Sequence, residues 1–277
     1  MRILSIAKQA WARGSADNVG LLAAGVAFYA FLAMVPLLAA LVLSYGLFAS
    51  PADAVRHARS IAGALPPAAA SLVIDQMKDL VTGDGGKTAL GFAIALGTAL
   101  YGATKGAKAV IIALNVVNGS PRHRSFLKQT RASFLVILLL LGVFLAGFGA
   151  IALTTLLEKL LPGLSATLGG VLKALGMLAF PLVATAALGI IYRFAPADAR
   201  PSLRAAFLAA ACAALLLALA TLAFGIYVAN FGSYNATYGA LGAVVVLQLW
   251  FYLAAFTLLL GGELATVIDR EGLPAAP

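Results

Sequence analysis

One carboxylate, Glu263, follows 25 uncharged residues (238–262) in the stretch YGALGAVVVLQLWFYLAAFTLLLGGELAT. An acid at the end of a membrane-length apolar run is expected to pair with a cation, to hold a proton, or to face water. Candidate cations lie in a second apolar run, where Tyr101, Thr104, Lys108, Asn115 and Asn118 recur at steps of three, four and seven and share one helical face, with Lys105 beside it. Either lysine can pair with Glu263 as a gate or proton-coupled site, and depth favours Lys108. The plainer alternatives are lysines snorkelling to headgroups and an interfacial acid neutralised by water and nearby Arg or Lys. Tyr29 stands seven residues before Pro36 in the first apolar run, where the proline removes one backbone hydrogen bond. Asn230, Tyr234 and Asn235, with Tyr238 directly after them, mark an uncharged polar stretch, 230–237, read as a loop that is either a hydrated turn or a lid over a lipid-like or neutral polar ligand. Tyr29, Pro36, Tyr101, Lys105, Lys108, Asn115, Asn230, Tyr234, Asn235, Tyr238 and Glu263 are the candidates for lining or gating a cavity.

Other chemistry is poorly supplied. Metal-assisted phosphodiester cleavage needs clustered carboxylates or histidines. The two histidines, His57 and His123, fall in loops expected on opposite membrane faces, and the basic loop 119–132 holds no acid. The glycines of 83–87 lack phosphate-loop spacing, and no aromatic platform accompanies the basic residues for nucleic acid. Cys212 stands alone in an apolar run and reads as a small core residue. No catalytic, metal or cofactor site is therefore expected, and nucleic acid is not an expected partner.

The elements that would position these residues follow from composition. Of the 277 residues, 62% are hydrophobic and 10% charged, against about 25% charged in a soluble domain, so lipid must serve as solvent. The reading is an all-α polytopic membrane protein with six spans, about 20–48, 88–117, 133–157, 169–194, 203–228 and 238–266. A basic amphipathic segment, 1–19, precedes them, with Trp11 at headgroup depth; a short tail, 269–277, follows. The connection 51–87, divided by Pro66 and Pro67, is expected to hold amphipathic helices on the outer surface. Gly91, Ala95, Ala99, Ala103 and Ala107, with Gly102 and Gly106, mark the second span as central, because small residues let membrane helices approach closely. Lys and Arg concentrate in the N-terminal tail and after spans two and four, which places both termini in the cytoplasm with anionic lipid headgroups as partners.

The run AAGVAFYAFLAMVPLLAALVLSYGLF, taken with FGSYNATYGALGAVVVLQLWFYLAAFTLLLGGELATVIDR, resembles the signatures of the YihY/BrkB family of bacterial inner-membrane proteins, once labelled ribonuclease BN. The resemblance extends from about Trp11 to Arg270, with Phe28, Tyr29, Pro36, Tyr238, Gly239, Trp250, Gly262 and Glu263 as motif positions. Ala33, Ala265 and Thr266 depart from its pattern. The resemblance implies a multi-pass protein of the bacterial plasma (inner) membrane, a transporter or virulence-associated factor. The expected function is a transporter or a lipid or envelope-precursor permease with a polar cavity around span two. The alternative is a non-transporting scaffold for envelope assembly, virulence or serum resistance. A small-molecule or lipid substrate and a second copy of the chain are the remaining candidate partners.

Overall fold

A computed structural model describes residues 2–48, 85–120, 126–160, 181–197, 200–230 and 232–271. The described residues form seven helices and no strand: α1 (Arg2–Ala16), α2 (Val19–Phe48), α3 (Gly85–Val117), α4 (Phe126–Leu160), α5 (Pro181–Phe194), α6 (Leu203–Asn230) and α7 (Gly232–Glu271). Residues 49–84, with the connection expected to hold amphipathic helices, and residues 121–125, 161–180, 198–199, 231 and 272–277 lie outside the described residues.

Each boundary has a local cause. At the end of α1, Asn18 takes φ 53°, a conformation asparagine tolerates better than most residues, and its carbonyl then receives the first amides of α2, from Leu21 and Leu22. The two helices meet at a bend of 70°. At the end of α3 the amide of Gly119 bonds to Val116 O and that of Ser120 to Asn115 O, with Gly119 at φ 64°, a left-handed C-terminal cap. Ser202 caps the start of α6 by accepting the amide of Ala205 on its hydroxyl.

Two sequence boundaries are corrected. The stretch 230–237 is not a loop: α6 runs to Asn230 and α7 begins at Gly232, so Ser233, Tyr234, Asn235 and Thr237 lie in the opening turns of a 40-residue helix. No proline occurs from 203 to 271, and nothing else there forbids helical backbone. Likewise, the basic loop after α3 is shorter than expected, because α4 starts at Phe126 and carries Lys128 and Arg131.

The chain packs as two units. The first comprises residues 1–26, 107–225 and 252–277; the second comprises 27–106 and 226–251. In the second unit, α3 lies against α2 through its glycines. A Cβ on Gly102 would stand 2.8 Å from Ala33 Cα, and one on Gly106 would stand 3.8 Å from Tyr29 Cβ. The small-residue pair of the sequence thus does what its spacing predicts. In the first unit a core forms from Val19 and Ala23 of α2, Ile111, Leu114 and Val117 of α3, Val136 of α4, Ile191 and Tyr192 of α5, a row of alanines on α6, and Leu259 and Ala265 of α7.

Helix α6 settles which solvent the protein expects. Ala205, Ala206, Ala209, Ala210, Ala213 and Ala214 are buried, whereas Leu215, Leu219, Leu222 and Ile226 are 55–67% exposed. A water-soluble helix would bury its leucines. A helix that hides alanines and presents leucines packs closely inward and faces hydrocarbon outward. Among the described residues three helical segments are long and apolar enough to cross a membrane, Ala89–Val117, Leu203–Val228 and Val244–Arg270, and a fourth is gained if α1 and α2 together count as one broken span.

Candidate functional site

Glu263 sits in the first unit, on the last part of α7, just after Gly261 and Gly262. Those glycines bring α7 against three neighbours. A side chain at Gly261 would meet the Tyr192 hydroxyl of α5 and, at 2.6 Å, Ala213 Cβ of α6. One at Gly262 would stand 2.8 Å from Leu114 and 3.3 Å from Val117 of α3. The Tyr192 hydroxyl donates to Leu258 O at 2.7 Å, which ties α5 to α7 one turn before the acid.

Helix α1 closes the arrangement from the fourth side. Ile6 packs against the core, Ala10 is buried, and Gly14 would place a Cβ 3.5 Å from Leu260. Trp11 meets Phe256 edge to face at 6.1 Å, while its own surface remains largely exposed. This docking directs Arg13 inward. Its Nε donates to Glu263 Oε2 at 3.0 Å, and its Nη2 donates to Val117 O at 3.0 Å. Val117 ends α3, where carbonyls lack helical partners and the helix dipole favours a cation, so one guanidinium neutralises an acid and caps a helix together.

Glu263 is completely buried, and its second oxygen, Oε1, has no hydrogen-bond partner. Asp17, in the turn between α1 and α2, is half-buried and acts electrostatically on Glu263. Beside them, Thr266 donates to Asn118 Oδ1 at 3.0 Å, and Asn118 Nδ2 donates to Leu114 O at 2.7 Å, so α7 is joined to the cap of α3 by a satisfied buried pair. Further out, Asn115 Oδ1 accepts the amide of Ala197, Asp269 accepts the amide of Ser202, and Arg193 donates to the carbonyls of Arg200 and Pro201. The connection between α5 and α6 is thus stitched to α3 and α7.

The pairing expected from sequence is corrected. Depth along the helices favours Lys108 and then Lys105 as the partner, but Glu263 is paired with Arg13. Gly262 packs on Leu114 and Val117, which sets Glu263 level with the last turn of α3, about 14 Å along the helix from Lys108. Lys108 is half-buried in the first unit, and Asn115 has its side-chain oxygen engaged as described. Tyr29, Pro36, Tyr101 and Lys105 belong to the second unit. There Tyr29 is half-buried and edge-on to Phe28, Pro36 lies within the unbroken α2, Tyr101 is exposed, and Lys105 Nζ lies 5.2 Å above the Tyr101 ring. The side chains of Asn230, Tyr234, Asn235 and Tyr238 lie outside the described residues. Sequence reasoning passed over Arg13 and Asp17, although Ile6, Ala10, Arg13 and Asp17 recur at steps of four, three and four and so mark one inward face.

Buried alanines, exposed leucines and helices long and apolar enough to cross a bilayer define a helical membrane protein. Its family follows from direct comparison: residues 10–277 match the family of virulence factor BrkB, and the chain belongs to that family. No curated protein and no solved structure matches it.

Proposed function

We propose that the chain is a multi-pass protein of the bacterial inner membrane, with six spans and cytoplasmic termini, that works as a permease for a lipid or an envelope precursor rather than as an enzyme. The observation that carries this reading is Glu263, a fully buried carboxylate with one oxygen unpartnered, where α1, α3 and α7 meet. Ionisable groups inside membrane helices are costly to keep, and a merely structural pair would be expected to satisfy both oxygens. On this reading the Arg13–Glu263 pair is a cytoplasmic latch that holds α1 against α3 and α7, and its release would open the path. Arg131, Arg193, Arg200, Arg204 and Arg270 lie in the segments assigned to the cytoplasmic side, where they would meet anionic headgroups.

The test is native mass spectrometry of the gently extracted protein. A defined lipid or envelope precursor should co-purify with the wild type and be lost in Glu263→Ala or Lys108→Ala. Bulk lipid alone, unchanged by either substitution, refutes the permease. A second reading, a non-transporting envelope scaffold, draws support from the alanine-lined packing of α6 in the first unit, which suits a rigid core. Retention of a partner protein, with no defined lipid, would favour it.

A further inference from the structure

We infer that Tyr101 and Lys105 of α3 form a site, at the middle of a membrane span, for the phosphate of an anionic lipid headgroup. Both residues belong to the second unit and to the span Ala89–Val117. Tyr101 stands 12 residues after Ala89 and Lys105 stands 12 before Val117, each about 18 Å along the helix from that end. To snorkel to the nearer headgroups, Lys105 would have to extend toward Val117. Its Nζ instead turns back over the ring of Tyr101, one turn earlier, at 5.2 Å from the centroid. The ammonium therefore stays at mid-span. Lys105 is half-buried and Tyr101 is 61% exposed, so the pair is accessible from outside its unit.

Charge decides what fits there. An ammonium in hydrocarbon calls for an anion, and one tyrosine face supplies only part of the compensation. Residues 27–48, 85–106 and 226–251 contain no aspartate or glutamate, and Glu263 is held by Arg13. Among the described residues no carboxylate pairs with Lys105, and no protein group takes the Tyr101 hydroxyl. The neighbouring hydroxyls differ, because Thr98 and Thr104 donate to the carbonyls of Ile94 and Leu100 at 2.8 and 2.7 Å. Two unspent donors one turn apart suit a single phosphate, one of its oxygens accepting from the ammonium and another from the phenol. The same stretch of α3 presents exposed Ile94, Leu96 and Leu100, and a Cβ on Gly97, one turn before Tyr101, would meet nothing within 4 Å. The anion must therefore arrive on an apolar carrier, and there is room for it beside the ring. The inference deepens the permease reading, on which it rests for what the lipid does there, by naming the substrate class: an amphiphile with a phosphate headgroup.

Native mass spectrometry of the full chain, released from nanodiscs of equal phosphatidylglycerol and phosphatidylcholine with matched acyl chains, tests this. The wild type should keep phosphatidylglycerol in preference. Lys105→Met should cut that retention about tenfold, Tyr101→Phe by a smaller factor, and Lys105→Arg should keep it. Lys8→Met, which removes a charge from the exposed side of α1, measures general attraction to headgroups. Equal retention in the wild type and Lys105→Met, or an equal fall in Lys8→Met, overturns the site. Uptake of inorganic phosphate in discs of phosphatidylcholine alone, with no preference for phosphatidylglycerol in the mixed discs, overturns it by assigning the anion to water-borne phosphate. A wild-type dimer that Lys105→Met converts to a monomer overturns it by giving the lysine a carboxylate from a second copy. In detergent without lipid, Lys105→Met should melt with the wild type, because no protein partner is lost; a clear drop overturns the site by revealing one. Retention lost in Lys105→Met but untouched by Glu263→Ala and Lys108→Ala would sink the permease and leave the headgroup site standing. A defined neutral lipid, lost in Glu263→Ala and kept in Lys105→Met, would do the reverse.

Discussion

Gly261 and Gly225 lie in apolar helices and look alike in sequence, yet alanine should act on them with opposite signs. A Cβ on Gly261 would collide with the Tyr192 hydroxyl and stand 2.6 Å from Ala213 Cβ, whereas one on Gly225 has nothing within 4 Å. Overpacking of this kind costs about 1–3 kcal/mol. Tyr192 cannot retreat without losing its bond to Leu258 O, worth about 0.5–1.5 kcal/mol net. Against that, alanine gains about 0.5–1 kcal/mol over glycine in a helix interior. Gly261→Ala should therefore destabilise by about 1–3 kcal/mol, from the balance of those terms, and Gly225→Ala should stabilise by about 0.5–1 kcal/mol. The two variants should melt roughly 5–15 °C apart in fluorescence-detected thermal unfolding of the detergent-solubilised protein. Tyr192→Phe, which removes the atom nearest the new methyl group, should restore part of the loss in the Gly261→Ala background while costing stability in the wild type. Equal melting of the two glycine variants, or additive behaviour of the Tyr192 pair, would refute the packing described for α7.

Three further outcomes follow from the geometry. Arg13→Ala removes the partner of a buried acid and the cap on Val117 together, and because Arg13 is 29% exposed the cost should fall at about 2–3 kcal/mol, below that of a wholly buried pair. Hydrogen exchange across 2–16 should rise in this variant well above its level in Glu263→Gln, which keeps an acceptor for the guanidinium. Thr266→Val strands the buried Asn118 Oδ1 and should lose about 1–3 kcal/mol in thermal unfolding, with Thr266→Ser, which keeps the hydroxyl, near wild type. Gly102→Leu should force α2 away from α3 within the second unit and sharply lower the yield of monodisperse protein, while Gly97→Leu, with open space at its Cβ position, should not.

Much of this protein was legible in the sequence because the membrane imposes its rules locally. A run of apolar residues long enough to cross lipid must be helical, since only a helix satisfies its own backbone there. Composition therefore gave the all-helical class, and the Gly102 and Gly106 spacing gave the close approach of α2 and α3. The signatures around Tyr29, Pro36 and Gly262–Glu263 gave the family. Local signals were weaker at 230–237, where Asn, Gly and Tyr suit a turn and a helix alike; there continuity of the backbone hydrogen bonds prevailed and α7 starts at Gly232.

What the sequence could not fix was which cation meets Glu263. Several basic side chains could be brought to a similar depth, and periodicity ranks faces of one helix without saying which helix becomes its neighbour. Arg13 lies 250 residues away in the chain, and only the docking of α1, through Gly14 on Leu260 and Trp11 on Phe256, brings it there. The lengths of the helices and their apolar character were set residue by residue; the pairing was set by shape, because a buried charge takes the partner that packing delivers.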